Sequence, residues 1–393
     1  MVKFSNSRKA KKPSGYRIKG THLVILIFSP VLLFAYIAYA TITVSLQDNV
    51  PTNQSPETNS LVLIKTDFLF DKFYRKLLNK GGDAFWDIFL EEGTVLQKEN
   101  PTQKFHVMEV GMHDAKQCRY AAKKNFQVYC IEPSPVSTKR ILSGGLNSDN
   151  EYAKYIQFYQ MAAGSETGLD LPFHSTGSTG DHVGGAIDIW KMEKEPEDPK
   201  SQSKATVVNV KSVAIDDIID NKVEPTHDFS GNGKDNKIDK LYLLKVDVQG
   251  FEPLVFSGLT RSIEKHKIDF LVLEYWPKGI DFMMDAEEKC VKPVQILQTL
   301  IENGYELYAT QLVSHPRAPE AARDVLRKTN RGEANRIIFS DLMEHCKFFY
   351  KIEEIAPSDD YKMGYWTDFL AVSPEARFPQ NPKTPMRSLM RKN

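Results

Sequence analysis

The chain has 393 residues, 41% hydrophobic and 26% charged. That length suits one large domain or two ordinary ones, and the composition excludes wholesale disorder, collagen-like repeats and a polytopic membrane protein. Lysine plus arginine and aspartate plus glutamate number 51 each, yet residues 1–21 hold seven bases and no acid, which leaves 44 bases against 51 acids downstream. A body with that balance is unsuited to general nucleic-acid binding, which draws its affinity from neutralised phosphates.

Residues 1–22 read as a basic tail. Residues 23–46 then run without a charge for 24 positions, whereas about 20 apolar residues suffice to span a bilayer as a helix. The bases lie before this run and the first charge after it is Asp48. The asymmetry predicts a type II signal anchor with a cytoplasmic N-terminus and a luminal body, in the Golgi or endoplasmic reticulum. Pro30 kinks such a helix without forbidding it. A signal peptide cleaved after Ala38-Tyr39-Ala40 is the rival reading, disfavoured because the apolar run exceeds the usual core of about 7 to 15 residues. Residues 47–60 are polar and Pro-bearing, as in a short flexible stem. Cys118, Cys130, Cys290 and Cys346 contain no C-x-x-C pair. One or two disulfides are compatible with an oxidising lumen, and all three full pairings remain open.

The folded body is expected over residues 61–375, with 376–393 a polar tail. Apolar residues between Phe68 and Leu78, and again between Phe85 and Phe89, recur at helical spacing and predict one or two amphipathic helices ahead of the sheet. Strands are expected at 105–110, 127–131, 155–162, 241–247, 268–274, 305–311 and 366–372, with helices at 114–124, 252–265 and 291–303. The runs at 241 and 268 are nearly continuous in apolar residues, as in strands buried on both faces of a parallel sheet. The expected fold class is α/β: a doubly wound, mostly parallel, seven-stranded Rossmann-like sheet. Residues 191–206 and 228–237 are charged, Gly- or Pro-bearing insertions.

Chemistry is expected where strands end. The first βα turn reads Glu109-Val110-Gly111-Met112-His113-Asp114-Ala115, in which glycine allows close backbone approach to a nucleotide and Asp114 caps the next helix. The second strand ends in Glu132-Pro133, with its acid near the spacing at which a carboxylate accepts from ribose hydroxyls. Leu244-Lys245-Val246-Asp247-Val248-Gln249-Gly250-Phe251-Glu252 places two acids around a glycine at the end of a central strand, where open α/β sheets bind ligands. Phe270-Leu271-Val272-Leu273-Glu274 brings a further acid to a strand end. No H-x-x-x-H or H-E-x-x-H spacing occurs, so a zinc hydrolase is disfavoured; His113, Asp114 and Asp247 are the one alternative for an oxygen-rich divalent site, and three scattered groups are slight grounds for it, so no metal is assigned.

With these residues in view, the sequence resembles the FkbM family of S-adenosylmethionine-dependent methyltransferases. The family's D-V-G-A-N-x-G is met by E-V-G-M-H-D-A, its E-P by Glu132-Pro133, its L-K-I-D-V-E-G-x-E by L-K-V-D-V-Q-G-F-E, and its closing strand and acid by F-L-V-L-E. V-K-S-V-A-I-D-D-I-I, with Asp216 and Asp217, is similar to the segment before that strand. The resemblance implies a class I methyltransferase sheet with S-adenosyl-L-methionine as cofactor. It implies that Glu109, Gly111, Met112 and His113 cradle the methionine moiety, that Glu132 and Pro133 meet the ribose, that Ala162 or Ala163 lies near the adenine, and that Asp247 sits beside the transferring methyl group. Methyl transfer to a hydroxyl needs alignment and removal of one proton, for which Asp247, Glu252, Glu274 and His113 are candidates in falling order. The plain structural alternatives are that Asp247 caps a turn, Glu252 serves a helix N-terminus and Glu274 holds a loop.

Met112, His113 and Ala115 stand where the family has Ala, Asn and Gly, and Gln249 replaces a glutamate. Ala115 is expected to replace its glycine inside a helix without cost. The function expected is a luminal O-methyltransferase acting on a hydroxyl of a glycan or small molecule. The alternative is a non-catalytic trafficking or scaffold protein on the same fold. A membrane-anchored glycosyltransferase shares the topology, but the body holds no D-x-D triplet for a metal-held sugar nucleotide.

Overall fold

In the computed structural model the chain divides into two units, Met1–Lys65 and Thr66–Asn393. The described residues are 82–144, 146, 151–175, 182–183, 206–229, 238–309, 336–337, 342–355 and 364–377, all in the second unit. The basic tail, the apolar run 23–46, the stem, the segment 68–78 and most of both insertions lie outside them. Among the described residues no helix is long and apolar enough to cross a membrane.

Thirteen strands occur among the described residues: β1 His106–Val110, β2 Gln127–Ile131, β3 Ile156–Tyr159, β4 Ala162–Ala163, β5 Asp170–Ser175, β6 His182–Val183, β7 Thr206–Val213, β8 His227–Asp228, β9 Leu241–Val246, β10 Ile268–Tyr275, β11 Glu306–Ala309, β12 Arg336–Ile337 and β13 Thr367–Val372. The main sheet runs β12-β11-β13-β10-β9-β1-β2-β3-β8. Its inner strands β3, β2, β1, β9 and β10 are parallel, and β13 enters antiparallel between β10 and β11. Each of the seven expected strands is present, and two-residue strands extend both edges of the sheet. β9 is buried along its whole length because both sheet faces are covered. Met108, Leu244 and Leu271 pack into one apolar cluster, while Val107, Leu243 and Phe270 pack into the other, as the two-residue period of a strand requires.

Helix α1, Gly82–Glu99, lays Phe85, Trp86 and Phe89 on the second face, where Phe89 stacks on Phe270 with ring centroids 4.3 Å apart. α2, Lys116–Lys123, and α3, Pro135–Ser143, follow β1 and β2. α4, Ile215–Ile219, follows β7. α5, Glu252–Ser257, and α6, Thr260–Glu264, divide the helix expected over 252–265. The buried carboxylate of Asp216 accepts from the backbone N–H groups of Arg261 and Ser262, both at 2.9 Å, and so caps the second piece. α7, Pro277–Met283, α8, Val291–Glu302, and α9, Leu342–Ile355, complete the other face.

Two findings differ from expectation. The strand expected over 155–162 ends at Tyr159, because the Gln160 N–H is taken by Thr226 Oγ1 at 3.0 Å, and the chain turns so that Ala162–Ala163 pair with β7 instead. A second sheet, β4-β7-β5-β6, then forms around Ala162, Phe173 and Val210. Cysteine pairing is settled as Cys118–Cys130 and Cys290–Cys346.

Candidate active site

The register of the central strands builds the site. Val110 aligns with Ile131 of β2 on one side and with Val246 of β9 on the other, so the next residues, Gly111, Glu132 and Asp247, emerge together at the C-terminal edge. Strand order reverses at β1, and such switch points open a crevice for ligands. The crevice here takes in about 600 Å³ of space, part of it the open solvent at its mouth. Gly111, His113, Glu132, Asp247 and Gln249 form a polar part of its lining; Ile131, Pro133, Ala162, Ala163, Phe173 and Val183 form an apolar part.

Gly111 is required by geometry. Its φ is +81°, and a Cβ there would stand 1.8 Å from the Asp247 carbonyl oxygen. The two backbones are further joined by Asp247 N–H donating to the Val110 carbonyl at 3.1 Å, while Gly111 N–H donates to the Ile131 carbonyl at 3.0 Å. Beyond it, His113 and Ala115 adopt φ of +43° and +55°, the left-handed region that asparagine and glycine enter most readily. Ala115 is therefore not inside a helix as expected: it precedes α2 as its N-cap, and alanine in this conformation costs about 1–2 kcal/mol. Asp114 does supply a capping bond, accepting from the Lys116 N–H at 3.0 Å.

Glu132 organises the turn. Its Oε2 accepts from the His113 N–H at 3.0 Å and its Oε1 from the Ser134 N–H at 2.9 Å. The carboxylate thus ties the glycine turn to the start of α3 while lining the crevice. Ser134 caps α3 by accepting from the Ser137 N–H, and its hydroxyl shares a 2.9 Å hydrogen bond with that of Ser175 on β5. The second sheet is thereby pinned to the residues that follow Glu132. The His113 Nε2 atom is buried without a hydrogen-bond partner, on a residue that lines the crevice.

The remaining expected site residues are layered. Met112 does not line the crevice. Its side chain is buried in the core against Cys118, so its bulk, unlike that of His113, is kept out of the ligand space. Glu109 lies beneath the turn, accepting from the Cys118 N–H at 2.9 Å. Burial, with Asp247 and Asp114 adding to it, pushes its pKa up to about 8 despite Lys245 nearby. Glu252 is fully buried and clamps the turn after β9, its Oε1 accepting from the N–H groups of Val248 at 3.2 Å and Gly250 at 3.3 Å. Burial raises its pKa to about 7. Glu274 is half-buried and lies behind Gln249, outside the crevice lining. Burial first, then the charges of Asp247, Glu252 and Asp368, hold its pKa well above the usual carboxylate range. Among the expected acids, only Glu132 and Asp247 line the crevice. Sequence reasoning missed the wall supplied by Phe173 and Val183, and it noted Gln249 as a departure without assigning it to the site. Among the described residues no three His, Cys, Asp or Glu side chains form a metal-holding group.

A doubly wound sheet with a glycine turn, a ribose-type acid and an aspartate at its switch point defines the nucleotide-binding α/β class. The sequence profile of the methyltransferase FkbM domain matches residues 109–307, and the chain belongs to that family. The enzyme class and the cofactor implied by the resemblance are those of this family. No curated protein sequence matches the chain. Among solved structures it is similar to a methyltransferase FkbM from Methylobacillus flagellatus KT, at 16% identity and a TM-score of 0.31, with 56% of this chain and 44% of that chain covered. Others are a putative S-adenosylmethionine-dependent methyltransferase from Listeria monocytogenes, at 10% identity, TM-score 0.28 and coverage of 72% and 99%, and the Haemonchus contortus phospholethanolamine N-methyltransferase 2, at 12% identity, TM-score 0.27 and coverage of 82% and 59%. At these scores none bears on the chemistry of this chain.

Proposed function

We propose that the chain is a membrane-anchored O-methyltransferase that methylates a hydroxyl group, with a glycan as its acceptor class, on the luminal side of the Golgi or endoplasmic reticulum membrane. The observation that carries the reading is the opening of Gly111, Glu132 and Asp247 onto one crevice at the switch point of the sheet. S-adenosyl-L-methionine, when bound, supplies the electrophilic methyl group. Glu132, in the crevice lining at the end of β2, holds ribose hydroxyls. Ile131, Ala162, Ala163 and Phe173 offer an apolar slot suited to an adenine ring. Asp247 is placed to accept the proton that a hydroxyl loses as it gains a methyl group. One of its oxygens is fixed by Gln249 and the other is paired with Lys245 at 3.4 Å. The luminal half of the reading is supported by the base-then-apolar pattern of residues 1–46 and by the pairing of all four cysteines.

Two experiments test the two halves. Full-length protein in detergent, given methyl-labelled S-adenosylmethionine, should label hydroxyls in a glycan panel; cofactor binding without label on any glycan would overturn the acceptor class. Protease added to intact microsomes should spare the body, and alkaline carbonate should leave the chain in the pellet. Digestion, or release into the supernatant, would overturn the anchored luminal placement.

A further inference from the structure

Gln249 stands between the crevice and two carboxylates. It lines the crevice, and its Nε2 donates to Asp247 Oδ1 and to Glu274 Oε2, each at 2.9 Å. A carboxamide nitrogen carries two N–H bonds, and both are in use. The backbone that aims it is specific too: φ is +56° at Gln249 and +97° at Gly250, and the buried Glu252 clamps the turn from below. A Cβ at Gly250 would fall 2.9 Å from the Gly279 carbonyl oxygen, so the turn has little room to shift.

The surrounding charges are unequal. Asp247 has the ammonium of Lys245 at 3.4 Å. Among the described residues Glu274 has no cation within ion-pair distance; it faces Asp247, Glu252 from α5, and Asp368, its register partner on β13. The two carboxyl groups also share a direct side-chain hydrogen bond, and Glu274, with acids around it and no cation beside it, is the one that holds the proton. The raised pKa of Glu274 agrees with that assignment.

Resting on the methyltransferase reading above, we propose that Gln249 is a positioning residue whose two amide hydrogens lock Asp247 and Glu274 into one unit, with Asp247 as the base that faces the crevice and Glu274 as its buttress. In turnover the hydroxyl's proton passes to Asp247 and leaves from there to water, while the proton on Glu274 stays in place. Glu274 thus acts through Asp247 and Gln249, and stays outside the crevice lining.

The test uses full-length protein and does not depend on turnover alone. Infrared difference spectra of the wild type at neutral pH should show the carbonyl stretch of a protonated carboxyl group that Glu274→Gln deletes. Gln249→Met, similar in size but without donors, should shift or abolish that band. It should also lower kcat on the glycan panel by at least about tenfold, the scale of a lost hydrogen bond to a charged group, while the affinity for S-adenosylhomocysteine changes by less than about threefold. In Gln249→Glu, acidification should raise the rate while it lowers that of the wild type, since only the protonated glutamate regains a donor. Should Gln249→Met fail to fold, Gln249→Glu carries the same test. Absence of the band in the wild type, an unchanged band in Gln249→Met, or kcat and cofactor affinity falling in parallel would overturn the proposal. A wild type that shows the band but transfers no methyl group would instead count against the enzyme reading and leave the hydrogen-bonded unit standing.

Discussion

Replacing Gly111 with alanine adds one methyl group at the closest backbone approach in the site. The new Cβ would lie 1.8 Å from the Asp247 carbonyl oxygen and 2.9 Å from its carbonyl carbon, on a residue whose φ is +81°. The left-handed conformation costs an alanine about 1–2 kcal/mol, and relief of the clash by backbone movement adds about 1–3 kcal/mol, as for other overpacked positions. Neither strand yields easily, because β1 and β9 are the central pair of the sheet and are almost wholly buried. The expected loss is roughly 2–5 kcal/mol out of the 5–15 kcal/mol typical of a domain, read as a lower urea midpoint with an unchanged slope. Any variant that folds should bind S-adenosylhomocysteine more weakly, because relief of the clash moves Asp247. Stability within about 0.5 kcal/mol of wild type, together with unchanged affinity, would refute the close approach on which the site geometry depends.

Asp247→Asn keeps size but loses charge and basicity, so turnover should fall about 100-fold to 10,000-fold while cofactor affinity changes far less; equal losses in both would make Asp247 a cofactor ligand. Glu109 has its pKa raised from 4.5 to about 8, so between those pH values the folded chain holds a proton that the unfolded chain has released, and stability should fall as pH rises. Glu109→Gln should flatten that slope in urea titrations at several pH values, and an unaltered slope would assign the proton elsewhere. Cys290–Cys346 ties the N-terminus of α8 to α9 across 56 residues, and the double serine variant should lose about 2–5 kcal/mol, checked by urea unfolding against non-reducing mass analysis of the pairing.

The main sheet was legible because its signal is local. Strands such as Leu241–Val246, buried on both faces, read as unbroken apolar runs, and the acids that terminate them mark the edge where ligands bind. The second sheet was not legible. β5 reads D-L-P-F-H-S, only half of it buried, and a proline inside a run argues against a strand. β4 is two alanines that only the turn at Gln160 detaches from β3. The site was half legible for a similar reason. Gly111, Glu132 and Asp247 follow from motif and register, whereas the burial of Met112 and the retreat of Glu274 behind Gln249 depend on side-chain directions that spacing does not carry. Ala115 was misplaced because a helix N-cap in the left-handed region looks, in sequence, like the first residue of the helix.

The most direct measurement is titration calorimetry of S-adenosylhomocysteine into the full-length protein and its Glu132→Ala variant. The account predicts binding to the wild type and an affinity roughly tenfold to a hundredfold lower in the variant, the scale of about 1.5–3 kcal/mol for hydrogen bonds lost from a charged group. No binding to the wild type, or equal binding to a folded Glu132→Ala variant, would contradict it.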